Sequence, residues 1–359
     1  MSTKVLIIDD SALMRKHLRQ IIEAAGYETQ TARNGEEGLE KIAEFDPAVV
    51  TLDINMPVMD GLTCLSLIMQ QYPRPVVMVS SLTEKGALAT FEALELGAID
   101  YVSKPGGTVS LNIQDIADEL LVKVTTASRA RIGKSRGLRE RLRNQRNKVE
   151  AIKVKSPQRA TAIRPVQKRG KGLVIIGVST GGPSTLEEII TALPADFSLP
   201  ILVAQHMPGR FTQVFAERLN KVASINVIEL RGTLLPAPGQ VIIAQGGADI
   251  KLVRRGTKLM ASSVPVDNNF LWHPSVERMA TSVKELYDPA NIICVQLTGM
   301  GDDGAKTMTE LHSLGARCIA ESEETAVVYG MPKELVEQGG ADCILPSYAI
   351  AEKLIEWTN

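Results

Sequence analysis

No stretch of this 359-residue sequence approaches the ~20 consecutive apolar residues that a membrane-spanning helix requires, so insertion into a bilayer is not expected. Aromatic residues are scarce, at 4%, and no helix-turn-helix pattern is present, which argues against specific nucleic-acid binding. The four cysteines, Cys64, Cys294, Cys318 and Cys343, lie scattered in apolar surroundings without a CxxC pair. That excludes a disulfide framework or a thiolate zinc site and predicts reduced, buried thiols. The N-terminal MSTKVLIIDD lacks the long apolar region and small-residue cleavage site of a secretory signal, so a cytoplasmic location is expected.

What is present is the composition of a soluble globular protein, 44% apolar and 23% charged, in a chain long enough for two domains. The charge is unevenly placed. Residues 1–122 carry nine Lys/Arg against eighteen Asp/Glu, residues 123–171 seventeen against two, and residues 172–359 fourteen against twenty-one. A basic block between two acidic ones reads as a linker over 123–170, mobile for most of its length because Gly133 and Gly137 interrupt it and no apolar face is sustained. It separates a domain at 1–122 from one at 171–357.

The first domain alternates apolar runs (KVLII, YETQT, AVVTL, PVVMVS, IDYVS) with amphipathic stretches. Five β/α units predict a parallel sheet covered by helices on both faces, with function at the carboxyl ends of the strands. Those ends carry Asp9 and Asp10, Asp53, Ser80 and Lys104. Three carboxylates together suit a hard cation such as Mg²⁺. Asp53, after the very apolar AVVTL, is the candidate phosphoryl acceptor; Asp9 and Asp10 would hold the cation, Lys104 would neutralise phosphoryl oxygens, and the Ser80 hydroxyl could bond to them.

The second domain restarts parallel α/β alternation with GLVIIGV, LPILVAQ and NIICVQLTG, and between Val222 and Val264 short runs broken by Gly and Pro predict a small antiparallel β insertion. Gly177-Val178-Ser179-Thr180-Gly181 sets Ser179 in a G-x-S-x-G turn between strand and helix, although a Gly-rich turn of this kind also holds nucleotide phosphates. A nucleophilic serine needs a base, and the chain has only four histidines. His206 follows the next β-unit after Ser179, so adjacent parallel strands would bring the two together; His273 is the reserve candidate. The orienting carboxylate would come from Gly-Met-Gly-Asp302-Asp303-Gly, either aspartate serving. The order Ser, His, Asp differs from that of α/β-hydrolases.

Over residues 1–122, IIDDS, LDINMPVMDG, VSSLT and IDYVSKPGG resemble the response-regulator receiver family. The resemblance implies a flavodoxin-like (βα)5 fold, Mg²⁺-dependent phosphorylation of Asp53 by a chemotaxis histidine kinase, and Ser80 and Tyr101 as switch residues. Over about 171–357, GVSTGGP, QHMPGRFTQVFAERLN, PSVERM, LTGMGDDGA and VVYGMPKE resemble the protein-glutamate methylesterase domain of the CheB family. That implies a doubly wound esterase needing no cofactor, with Ser179 as nucleophile, His206 as base and Asp303 as acid, and with Thr180 and Met300 shaping the oxyanion side. The implied substrates are glutamate methyl esters, and glutamines, of methyl-accepting chemoreceptors. In IIAQGGADI the chain carries Gln245 and Asp249 where the family often has a proline and a histidine, a difference bearing on substrate preference. The rival reading is a non-enzymatic regulator whose second domain binds a nucleotide or DNA.

Overall fold

The computed structural model describes residues 2–81, 83–104, 113–130 and 172–358. The first domain is a five-stranded parallel sheet in the order β2-β1-β3-β4-β5, formed by Lys4–Ile8, Glu28–Ala32, Val49–Asp53, Val76–Ser81 and Asp100–Lys104. Its helices are α1 (Ala12–Ala24), α2 (Gly35–Phe45), α3 (Gly61–Gln71), α4 (Glu84–Leu96) and α5 (Ile113–Arg129). β1, β3 and β4 are apolar and buried on both faces, as a parallel sheet sandwiched between helices requires.

The expected boundary at residue 122 falls inside α5 and is corrected by it. The helix continues to Arg129 because Val124 and Ala127 recur at helical spacing and are buried in the core of the first domain. Residues 131–171, which make up most of the expected linker, lie outside the described residues.

The second domain is a seven-stranded parallel sheet in the order β15-β14-β13-β6-β7-β10-β8, with β15 formed by Cys343–Leu345. The strands that position the site are β6 (Leu173–Val178), β7 (Ile201–Gln205), β13 (Ile292–Gln296) and β14 (Arg317–Glu321). The helices are α6 (Gly182–Ala192), α7 (Gly209–Val222), α8 (Val276–Leu286), α9 (Ala305–Ser313), α10 (Met331–Glu337) and α11 (Ser347–Thr358). The expected insertion is smaller than its sequence span. β8 (Asn226–Glu229) and β10 (Gln240–Ile243) join the parallel sheet, and only β9 (Thr233–Leu234), β11 (Asp249–Arg255) and β12 (Lys258–Val264) form a separate antiparallel one. Val241, Ile242 and Ile243 are all fully buried, which a free-standing hairpin could not achieve.

The two domains share an apolar seam. α4 packs on α6 and α7. Tyr101 stacks on Phe211 with ring centroids 4.5 Å apart, and Phe91 stacks on Phe215 at 5.4 Å. All four rings are buried, each worth about 1.5–3 kcal/mol relative to exposure.

Candidate functional site

β6 and β7 pair in parallel with Val178 opposite Gln205, so the next residues, Ser179 and His206, leave the sheet side by side. The His206 N–H donates to Val178 O (3.1 Å), and the Ser179 N–H donates to Thr298 O (2.9 Å) beyond β13. The turn after Ser179 is closed by the Gly182 N–H on Ser179 O (2.9 Å). Gly181 adopts φ 79°, a conformation that glycine reaches without a Cβ penalty, and Pro183 opens α6. Gly299 is needed for space: a Cβ there would lie 2.7 Å from Ser179 Cβ.

His206 Nε2 meets Asp303 Oδ2 at 2.8 Å. Asp303 Oδ2 also accepts from the Val276 N–H (2.7 Å), and its Oδ1 accepts from the Glu277 N–H (2.9 Å) and the Ser275 hydroxyl (3.0 Å). Asp303 therefore sits at the amino end of α8, where free N–H groups and the helix dipole favour an anion. Burial opposes its ionisation, but the bonds from His206 and from the two backbone N–H groups outweigh it and hold the carboxyl below the usual carboxylate range. Because an ionised carboxylate only accepts, Nε2 carries the imidazole proton and Nδ1 keeps the lone pair. Nδ1 is buried without a hydrogen-bond partner among the described residues. Asp302 is exposed. His273 pairs with Asp249 and not with Ser179's neighbours, and His312 pairs with Asp342 at 3.1 Å.

Two glutamines that sequence reasoning passed over hold these loops. Gln205 Nε2 donates to Ser179 O (2.9 Å) and His206 O (3.1 Å), and Gln296 Nε2 donates to Asp303 O (2.8 Å). Both are fully buried at the ends of otherwise apolar strands, ILVAQ and IICVQ. A lone polar residue closing such a strand was the signal for them. Glu321, at the end of β14, is 0% exposed and accepts from the Thr298 N–H (2.8 Å) and the Thr325 hydroxyl (2.8 Å). Burial, with Glu188 nearby, raises its carboxyl to about 7.

Both residues expected to shape the oxyanion side touch the first domain. Thr180 Oγ1 donates to Asp100 Oδ2 (2.5 Å), and Thr126 Oγ1 donates to Met300 Sδ (2.7 Å). Asp100 is held in turn by Lys123, whose ammonium lies 3.3 Å from Oδ1. Arg218 of α7 bonds to Glu95 of α4 and to Glu187 of α6.

In the first domain, carboxylate oxygens of Asp9, Asp10 and Asp53 come within 4.8 Å of one another. Lys104 Nζ lies 2.9 Å from Asp9 and 2.8 Å from Asp53. Burial raises the Asp53 carboxyl despite that ammonium, and Asp9 adds to the effect. Ser80 Oγ donates to Gly86 O (3.2 Å), and Tyr101 is buried with its hydroxyl unpartnered among the described residues.

Comparison with known proteins matches this division. The family described as CheB methylesterase matches residues 174–354, and that described as response regulator receiver domain matches residues 5–113. The protein-glutamate methylesterase/protein-glutamine glutaminase 3 of Rhodospirillum rubrum is 51% identical over 99% of this chain and 96% of its own length. The enzyme of that name from Archaeoglobus fulgidus is 41% identical over 99% and 97%. The crystal structure of the Thermotoga maritima CheB methylesterase catalytic domain aligns with a TM-score of 0.50 and 41% identity, covering 52% of this chain and 98% of that one.

Proposed function

This chain belongs to the CheB family of protein-glutamate methylesterase/protein-glutamine glutaminases with a receiver domain, and from that premise we propose that Ser179, His206 and Asp303 carry out the hydrolysis. The observation that carries the proposal is the His206–Asp303 pair, with the Nδ1 lone pair left over beside the strand end that bears Ser179. Nδ1 takes the Ser179 hydroxyl proton as Oγ bonds to the ester carbonyl carbon. The oxyanion forms on the side shaped by Thr180 and Met300, and N–H donors there stabilise it. When the tetrahedral species collapses, the Nδ1 proton passes to the methoxy oxygen and methanol leaves. Water then gives its proton to Nδ1, attacks the acyl group, and Ser179 is released with the proton returned to it. For a glutamine side chain the leaving group is ammonia.

The proposed domain limits are 1–130 for the receiver and 172–358 for the esterase. We assign Asp53 as the phosphorylated residue, with Ser80 and Tyr101 as switch residues and Lys104 paired to the acyl phosphate. The convergent carboxylates of Asp9, Asp10 and Asp53 fit Mg²⁺, which supplies charge neutralisation for phosphoryl transfer when bound. The partners proposed are methyl-accepting chemoreceptors as substrate and a chemotaxis histidine kinase as phosphodonor, in the cytoplasm. Among the described residues no helix is long and apolar enough to cross a membrane.

Regulation follows from the seam. Tyr101 stacks on Phe211, Asp100 bonds Thr180 beside the nucleophile, and Thr126 touches Met300. Phosphorylation of Asp53 re-poses the carboxyl ends of β4 and β5, where Ser80 and Lys104 lie, and the shift passes along β5 to Tyr101 and Asp100 at its start, which loosens the contact that covers the esterase site. The test is methanol release from methylated receptor membranes, with and without phosphodonor and Mg²⁺. No release by the phosphorylated protein overturns the hydrolysis; equal release in both conditions overturns the regulation.

A further inference from the structure

One short segment, residues 272–277, holds His206 on both its edge and its face. On the edge, the Ser275 hydroxyl and the Val276 and Glu277 N–H groups fix Asp303, which binds Nε2. On the face, the Trp272 and His206 rings stack with centroids 5.1 Å apart and 15° between planes. Leu271, immediately before, is 82% exposed, so the loop is not anchored through its own apolar tip. A polar clamp anchors it. Asp249, 1% exposed at the start of β11, accepts from the Ser275 N–H (2.8 Å), His273 Nδ1 (3.1 Å) and Arg278 Nη1 (2.5 Å). Arg278 also donates to Pro265 O (2.6 Å), which ties the loop's entry to its exit. The expectation that Asp249 bears on substrate preference therefore gives way to a structural role: a carboxylate this buried reaches the loop and not the solvent.

We propose that Trp272, clamped by Asp249, is a positioning residue for the hydrolysis assigned above: its indole face keeps the His206 imidazole from tilting and stabilises the imidazolium formed when Nδ1 takes the serine proton. The inference rests on the Ser179–His206–Asp303 reading. The Nε2–Asp303 bond chooses which imidazole edge meets Ser179, but one hydrogen bond leaves the ring free to rock about its axis. A stacked indole removes that freedom, and its electron-rich face attracts the cationic ring more than the neutral one. Among the described residues, Asp303, from the loop between β13 and α9, is the charged group bonded to His206. The Ser275 hydroxyl is taken up by Asp303, and His273 by Asp249.

The test uses the full-length protein, phosphorylated, with methylated receptor membranes across a pH series, and ¹⁵N NMR of the histidines. Trp272→Leu is expected to lower kcat about three- to thirty-fold with KM unchanged and to move the acid limb of the kcat profile to lower pH. Trp272→Phe, which keeps an aromatic face, should recover most of both. The His206 ring nitrogens should report the Nε2–H tautomer above the acid limb in both proteins, with sharp resonances in the wild type and exchange-broadened ones in Trp272→Leu. Unaltered kcat, acid limb and line widths in Trp272→Leu would overturn the proposal, as would a loss confined to KM, which would make Trp272 a substrate contact. A wild type that releases no methanol, yet shows the line broadening on substitution, would sink the hydrolysis reading and leave the stacking role standing.

Discussion

Asp53 and Asp303 occupy comparable places, at the end of or just beyond an apolar strand near the middle of a parallel sheet, yet their surroundings treat the charge in opposite ways. Asp303 is given four donors, three of them N–H or O–H groups from the start of α8, and its carboxyl is pulled below the ordinary range. Asp53 is buried against Asp9 and compensated chiefly by Lys104, and its carboxyl is pushed up. The first environment fixes a charge once and for all, which suits a group that orients an imidazole through many turnovers. The second leaves a carboxylate under-compensated, which suits a group that reacts and draws in a cation. Glu321 is a third case, buried with no cation bonded to it among the described residues, and its carboxyl is raised to about 7.

The contrast is broken most severely at the esterase site. Ser179→Ala should lose methanol release by about a million-fold, and His206→Ala nearly as much, since members of such a unit fail together. A folded Ser179→Ala protein with near-normal release would remove the assignment. Asp303→Asn should cost about four orders of magnitude in kcat, because an amide can present an N–H to Nε2 and impose the wrong tautomer, whereas Asp302→Asn should be almost silent. The reverse order would move the orienting acid to Asp302.

At the receiver, where charge is meant to change, substitution should alter response more than chemistry. Asp53→Ala should release methanol at the unphosphorylated rate whether or not phosphodonor and Mg²⁺ are present. Asp100→Ala, which frees Thr180, should raise the unphosphorylated rate about ten-fold, the scale of one charge-assisted hydrogen bond in a two-state contact. An unaltered basal rate would show that the Asp100–Thr180 bond does not hold the covered state.

Glu321 sharpens the comparison through stability. Its folded carboxyl titrates at about 7, above the ordinary value of 4.5, so the native state binds the extra proton between those limits. Stability from this group is present below the unfolded pKa and falls as pH rises through the folded one, by on the order of 2–3 kcal/mol. Urea unfolding should show Glu321→Gln gaining on the wild type at about pH 8 and not at about pH 5. A pH-independent difference would contradict the buried ionisation. The smallest effect is expected beside Asp53. Val58, 78% exposed, adopts φ 69°, which a β-branched residue tolerates poorly. Val58→Gly should stabilise the receiver by about 1 kcal/mol in the same unfolding assay.

Strand-end reasoning put Asp9, Asp53, Lys104, Ser179 and His206 at the carboxyl edges of the two sheets from sequence because a parallel sheet converts linear order into position. Apolar runs announce the strands, right-handed crossovers align them, and the next residue falls at the functional edge. The choice between Asp302 and Asp303 was open to that reasoning, since both follow the same strand. The structure brings Asp303 to His206 because the α8 amino end lies there. Gln205 and Gln296 carried a weak signal as polar ends of apolar strands. Trp272 carried none, because nothing in FLWHPS says that the loop folds back over a histidine 66 positions earlier.

Periodicity and strand-end chemistry were thus enough to determine two parallel α/β domains and the side chains that meet at each carboxyl edge, since both depend on local pattern and on one topological rule. The length of α5, the aromatic seam, the bonds that join Asp100 to Thr180 and Thr126 to Met300, the Asp249 clamp and the opposite fates of Asp53, Asp303 and Glu321 were decided only in three dimensions. Each depends on which surfaces of distant segments exclude water from one another. Burial strengthens or penalises a charge according to partners that no local stretch of sequence specifies.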